Sequence, residues 1–397
     1  MNKMIKPSTK SLIITLLTLL PLSANAYDFE VDGIFYYITD SDNLEVEVTY
    51  EKYSEGSASS NPSNSYSGTI DIPETVTYGD ITYEVIGIDG HAFYNCTSLE
   101  CITIPSSVTT IGGSAFYGCT SLECITIPSS VTAIGSYTFN TCTSLESITI
   151  PSSVTRIGFQ TFENCTSLKS VIIPFPSSLT TISVSAFKGC TSLESITIPK
   201  SVTDIEAGVF MNCTSLTDIT IPRIVTSIGQ YAFQGCTSLT SVYIMSTPEL
   251  CRLAFNDCDN ITDVYCLSET PPSASNDAYN HTIFSSTVYE NATLHVPSGC
   301  SDTYQAHSLW KLFNTIVDNA STDISVIEPN ESVSISSSEG KIEVTGAEGI
   351  VSVFGMDGSI AARGVLDGNV EIVVPGGLYI VKVSDGKNVT IKKIIVK

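Results

Sequence analysis

Cys119-Thr-Ser-Leu122-Glu-Cys-Ile125-Thr-Ile127-Pro128-Ser-Ser-Val131-Thr-Ala-Ile134-Gly135-Ser-Tyr-Thr-Phe139 is followed, from Cys142 on, by nearly the same words again. Cys96, Cys119, Cys142 and Cys165 lie 23 residues apart; Cys190 comes 25 later, and Cys213 and Cys236 resume the step of 23. A fixed period of this length marks a solenoid, in which each unit buries its apolar face only against its neighbours. Such a chain offers a long surface rather than a deep catalytic cleft.

Within one unit, Leu99-Glu-Cys-Ile102-Thr-Ile104 fits the Leu-x-x-Leu-x-Leu signature of a leucine-rich repeat. Ile102 and Ile104 point inward on a short strand and Thr103 between them points out. Pro105 ends the strand because it donates nothing to the next ladder position. Val108 and Ile111 turn inward again, Gly112 or Gly113 bends the chain, and Phe116 closes the convex side. Parallel strands need crossover connections, which the rest of each unit supplies. The expected fold is mainly β: a right-handed superhelix of short parallel strands.

The flanking sequence divides the chain further. Lys3, Lys6 and Lys10, an apolar run from Leu12 to Leu22 and Ala24-Asn25-Ala26 read as a cleaved secretory signal over 1–26. The run is too short to span a bilayer comfortably, and no later segment is apolar for long enough to be a membrane helix. Residues 27–68 alternate at period two around a turn at Ser41-Asp42-Asn43, which predicts a β-hairpin capping the first unit. The solenoid is expected over 69–317, with Tyr304 to Ile316 forming a short amphipathic helix that closes it. A polar linker at 318–332 leads to 333–397, where β-rich runs split by glycines predict a small antiparallel sandwich.

The chain carries a net charge of −23, unevenly placed: residues 27–332 hold 34 Asp and Glu against 8 Lys and Arg. So acidic a body repels phosphate backbones and excludes nucleic acid as a partner. The charge otherwise reads as solubility of an exported protein, or as a preference for basic partners or cations. The 13 cysteines would usually mean a disulfide framework. Here the periodic ones occupy one equivalent position, so a buried column of free thiols acting as small apolar fillers is expected, and no second Cys or His stands at zinc-ligand spacing. Cys101 and Cys124 occupy a position that is Ser in later units; they read as variants of Ser, with oxidation between them as the alternative.

The words Cys-Thr-Ser-Leu, Ile-Thr-Ile-Pro-Ser-Ser-Val and Ile-Gly-x-x-x-Phe resemble the BspA-like leucine-rich repeats of bacterial surface proteins, over roughly 69–316. That resemblance implies cell-surface or extracellular placement and a role in adhesion or host interaction. Val351-Ser-Val353-Phe-Gly-Met-Asp357-Gly358, Gly377-Leu-Tyr379-Ile-Val-Lys and Ile391-Lys-Lys-Ile-Ile-Val-Lys397 look like the C-terminal sorting domain of type-nine secretion substrates. This implies contact with secretion machinery and passage to the outer-membrane surface, or a retained spacer of similar shape.

Outward strand positions form a column, Thr103, Thr126, Thr149, Ile172, Thr197, Thr220, Tyr243 and Tyr265, on the order of 34 Å long at the usual strand spacing. Asp218 and Asp263 flank its end. The threonines also fit a simple β-propensity ladder. The Tyr243/Tyr265 end, aromatics beside carboxylates, suits stacking on sugars or gripping a protein. The expected function is therefore binding of an extracellular protein or glycan on the concave face, with a structural scaffold as the alternative.

An enzymatic reading finds little. His91, His281, His295 and His307 are scattered, and no nucleophile elbow, zinc-protease motif or phosphate loop is present. Asp257-Cys-Asp259-Asn lacks the glycine and closing Glu of a calcium loop. A glycan hydrolase, the remote third alternative, would need a carboxylate pair that no spacing reveals. No cofactor or metal is expected.

Overall fold

The computed structural model describes residues 26–53, 62–63, 65–174, 177–274 and 282–320, and in the tail 334–338, 341–345, 349–355, 360–366, 369–374, 377–384 and 389–396. The signal reading at 1–26, except for Ala26, and most of the linker reading at 318–332 lie outside them.

Each repeat begins with a main strand. In register and parallel, Ser67–Asp71, Ser98–Thr103 and Cys124–Thr126 pair in sequence; so do Ser147–Thr149, Ser170–Ile172 and Ser195–Ile196. A third stretch runs Asp218–Ile221, Ser241–Ile244, Asp263–Cys266, Thr293–Pro297 and Thr315–Ala320. After five of these strands, those ending before Pro105, Pro128, Pro151, Pro199 and Pro222, the Pro closes a turn by accepting from the Val three residues on, as in Val131 N to Pro128 O at 3.1 Å. The chain then enters a two-residue strand of a second parallel ladder, for example Arg156–Ile157 on Thr181–Ile182. The third side has no strand, yet it too is bonded repeat to repeat: Phe116 N reaches Thr138 O and Phe139 N reaches Thr161 O, both at 2.9 Å. Backbone groups are thereby satisfied by the neighbouring repeat on all three sides.

The core is a set of columns. Phe93, Phe116, Phe139, Phe162, Phe187, Phe210, Phe233 and Phe255 stack at 4.8–5.5 Å. All are fully buried, so the phenylalanine expected to close the convex side is an internal spine. Beside it runs the cysteine column, buried and free of disulfides. Its residue type has a reason beyond size. From Cys119 to Cys258, seven successive thiols donate to the carbonyl of the Phe one repeat back, at 3.0–3.2 Å. Alanine would fill the space but leave that bond unmade. Burial pushes the thiols up, to about 12 at Cys96 and Cys165.

The residue before each column cysteine has positive φ and is often Asn or Gly. The choice between them is paired. Gly118 has φ +72°, and a Cβ on it would collide with Asn95 Oδ1; Gly189 stands likewise against Asn164, and Gly235 against Asn212. One repeat's Asn side chain lies where the next repeat has no side chain.

Cys101 and Cys124, read as serine variants, are instead joined by a disulfide. They are in-register partners on adjacent strands, with Cα atoms 4.7 Å apart, inside the span a disulfide bridges. At the N-terminal end, Phe29–Val31, Ile34–Asp40 and Glu45–Val48 form an antiparallel unit, and the last strand pairs in parallel with Ile81–Ile88, so this unit continues the second ladder. At the other end the expected helix over Tyr304 to Ile316 is replaced by three pieces: helix Ser301–Ala306, a 3-10 turn Trp310–Leu312 and strand Thr315–Ala320. Tyr304, Trp310 and Phe313 are buried, which accounts for the helical-looking apolar spacing.

The tail forms two antiparallel sheets. Ser334–Ser338, Lys341–Thr345 and Asn369–Val373 make one; Ile360–Leu366, Gly349–Gly355, Gly377–Ser384 and Val389–Val396 make the other. Ile342, Val344, Ile372 and Val374 from the first share a core with Val351, Val353 and Val381 from the second, giving the expected sandwich. The strand Ile360–Leu366 escaped the sequence reading because Ala361, Ala362 and Gly364 break its alternation.

Candidate functional site

Alternation along the main strands sets the outward column. In Asp218–Ile221 the pattern is exposed, buried, exposed, buried, so Asp218 and Thr220 share one side while Ile219 and Ile221 fill the core. Thr103 is in register with Thr126, and both are exposed. Thr149 is in register with Ile172, and both are half-buried; Thr197 is exposed just past its strand. Strand pairing thus joins Thr103 to Thr126 and Thr149 to Ile172, and the threonines at these positions offer only short hydroxyls.

The last third is different. Thr220, Tyr243, Tyr265 and His295 are successive in-register partners. Tyr243 and Tyr265 stack at 4.6 Å and 7°, and Tyr265 and His295 at 4.3 Å and 10°. Alongside runs a second row, Asp218, Ser241, Asp263 and Thr293. Asp263 is fully engaged: Oδ1 contacts His295 Nε2 at 2.8 Å and Oδ2 accepts from Thr262 Oγ1 at 2.8 Å. The carboxylate thereby fixes the imidazole at the end of the stack. Partial burial pushes the Tyr243 phenol up, helped by Tyr265, Asp218 and Asp263; Tyr265 is raised by burial and by Asp263. Both phenols stay neutral hydrogen-bond donors at ordinary pH.

Sequence reasoning set His295 aside as a scattered histidine. The cap strand has lost the Cys and the Ile-Thr-Ile-Pro words that would reveal its register, although Leu294 and Val296 still alternate around the imidazole. Asp71 was missed too; it is the in-register partner of Thr103 and begins the column.

Chemically, the face offers stacked aromatics, hydroxyls and carboxylates. Among the described residues, no group of three or more His, Cys, Asp and Glu side chains is placed to hold a metal, and no helix is long and apolar enough to cross a membrane. Two overlapping matches to a family model described as a BspA type leucine rich repeat region cover residues 63–176 and 172–285. The chain belongs to the BspA-type leucine-rich repeat family. No curated protein matches it. Among solved structures it is similar to a leucine-rich repeat protein from Bacteroides ovatus, at 25% identity and a TM-score of 0.49, covering 75% of this chain and 80% of that one. A T. pallidum leucine rich repeat protein is 28% identical with a TM-score of 0.45, covering 53% and 90%. A leucine rich cell surface protein from Faecalibacterium prausnitzii is 23% identical with a TM-score of 0.35, covering 74% and 95%. Membership of the BspA-type family points to a binding or scaffold role carried by the repeats, and leucine-rich repeat proteins are a non-enzymatic class.

Proposed function

We propose that this BspA-type protein is exported and binds an extracellular protein or glycan through its main-strand face, in adhesion or host interaction. The observation that carries the reading is the Tyr243–Tyr265–His295 stack flanked by Asp218 and Asp263. Large rigid aromatics anchor interfaces at low entropic cost, and here they are concentrated at one end of an otherwise short-chained strip. Tyr243→Ala with Tyr265→Ala removes the anchor. Purified protein and this variant would be screened against matrix proteins, mucins and glycans. A ligand whose affinity falls at least about tenfold in the variant supports the reading; a blank panel on folded protein favours the scaffold role.

Export is supported by the basic, apolar and Ala-x-Ala run at the N-terminus, and it suits the Cys101–Cys124 disulfide. The working division of the chain is a signal at 1–26, a cap at 27–68, the solenoid at 69–317, a linker at 318–332 and the sandwich at 333–397. The strand Thr315–Ala320 carries the solenoid sheet into the start of the linker. In this reading the sandwich serves as a sorting domain. Cells expressing the chain without 333–397 should then retain it inside while the full chain reaches the surface; equal surface levels by immunolabelling would remove the sorting role.

A further inference from the structure

A stack of rings on in-register strands hides the faces of its members from solvent and offers their edges. Only the ends of the stack have a free face. Tyr243 is covered on one side by Tyr265; its other face looks back toward the preceding strand, where the in-register residue is the exposed Thr220. Among the described residues no ring covers that face. The column therefore drops, between one strand and the next, from a phenol to a short hydroxyl side chain, and Thr197 continues the low level beyond it.

The carboxylate beside this step has spare capacity. Asp218 stands two residues before Thr220 on the same side of the strand, roughly 6.6 Å along it. Its Oδ2 accepts from Thr217 Oγ1 at 3.1 Å. Among the described residues Oδ1 has no hydrogen-bond partner and no cation pairs with the group. Asp263, by contrast, has both oxygens committed, to His295 and Thr262. Of the two carboxylates flanking the rings, the one at the open face is the one left to accept a ligand.

We propose that the step built by Tyr243, Thr220 and Asp218 receives the guanidinium of an arginine side chain from a basic partner protein. The planar cation stacks on the open face of Tyr243, one edge of its fork donates to Asp218, and the opposite edge faces the Thr220 hydroxyl. Arginine suits the step better than lysine, because an ammonium has neither a plane to stack nor a fork to match the carboxylate. It suits it better than a sugar, because the body around the site, with 34 acidic against 8 basic residues over 27–332, attracts cations. The assignment rests on the reading that the main-strand face binds a partner, and names the chemistry of one anchor in that partner.

The test is binding of the full chain to a labelled oligo-arginine peptide and to an oligo-lysine peptide of equal length, by fluorescence anisotropy. Diffuse attraction to an acidic surface would treat the two alike. The step predicts arginine binding about 5- to 30-fold tighter, the range of a desolvated cation–π contact. Asp218→Asn and Thr220→Tyr should each remove most of that preference, the second by extending the stack over the open face. Thr220→Tyr puts a residue of high strand propensity at an exposed strand position, and circular dichroism confirms that it folds. Glu123→Gln, at an exposed acid elsewhere on the solenoid, should leave the preference unchanged. Equal affinities for the two peptides, or a preference indifferent to Asp218→Asn and Thr220→Tyr, would overturn the proposal. A panel ligand lost in the Tyr243→Ala, Tyr265→Ala variant but indifferent to those two changes would overturn it while leaving the binding face intact. The expected peptide profile with a blank panel would uphold the step and reject the matrix or glycan ligand.

Discussion

Between about pH 9 and pH 11 the solenoid should unfold, and the cause should be its own cysteine column. Cys96, Cys119, Cys142, Cys165, Cys190, Cys213 and Cys236, with Cys266, all have thiols raised, in most by burial first and in Cys236 by its contact with Cys258 first. In the unfolded chain a thiol loses its proton near pH 8.5. Above that value the unfolded state binds fewer protons than the native state, so stability falls as pH rises. For Cys96 and Cys165 the fall continues until the folded values near 12 are reached. Each such thiol removes up to about 1.4 kcal/mol per pH unit. Eight acting together reach the order of 10 kcal/mol per unit, comparable with the whole stability of a domain.

Urea midpoints measured from pH 7 to pH 10, with thiolate absorbance followed in parallel, check this. Stability should be flat below about pH 8 and then drop steeply, with thiolate appearing only as the fold is lost. Replacing Cys165 and Cys190 by Ala lowers stability at neutral pH but should also reduce the slope, by up to about 1.4 kcal/mol per pH unit for each thiol removed. Thiolate signal growing in native protein while circular dichroism holds would show that the column titrates in place, against the expectation. Buried tyrosines such as Tyr66 and Tyr36, raised mainly by desolvation, steepen the loss only above about pH 10, so the two contributions separate along the pH axis.

The same regularity decides what could be read before any coordinates. Cys96 to Cys236 carry their neighbours at fixed offsets, so the column, the inward Ile and Val positions and the outward threonines all follow from the spacing alone. Legibility fails where one repeat's side chain answers another's rather than its own. The Asn95–Gly118 pairing is visible only when successive turns are superposed in space, and the Cys101–Cys124 bridge depends on both residues facing out of adjacent in-register strands. It fails again at the ends. His295 and Trp310 sit on segments without the repeat words, where the pairing of Thr293–Pro297 with Asp263–Cys266, not a motif, brings the imidazole onto Tyr265. The proposed binding strip is therefore half legible: its aromatic end follows from residue type, while the partner that completes the stack, His295, lies in the cap.

Replacing Phe162 by Ala should cost about 3–5 kcal/mol, in the highest range for truncation of a single core side chain. Phe162 is fully buried, with Phe139 and Phe187 each 5.3 Å away and nearly parallel. Its backbone stays useful after truncation, since N still donates to Ala186 O at 2.8 Å and O still accepts from Cys190 Sγ at 3.1 Å. The loss is therefore one of packing: a ring-sized void with two ring faces left bare in a spine that cannot close up, because the flanking repeats are held apart by their own backbone bonds. Position adds a second consequence. In a solenoid each unit is stabilised through its interfaces with its neighbours, and Phe162 lies mid-spine, so weakening both of its interfaces should divide one cooperative transition into two. Urea denaturation followed by circular dichroism, with hydrogen exchange read separately on either side of residue 162, measures both effects. A drop below about 1 kcal/mol with a single sharp transition would mean that the ladder of inter-repeat hydrogen bonds, rather than the phenylalanine spine, holds the repeats together.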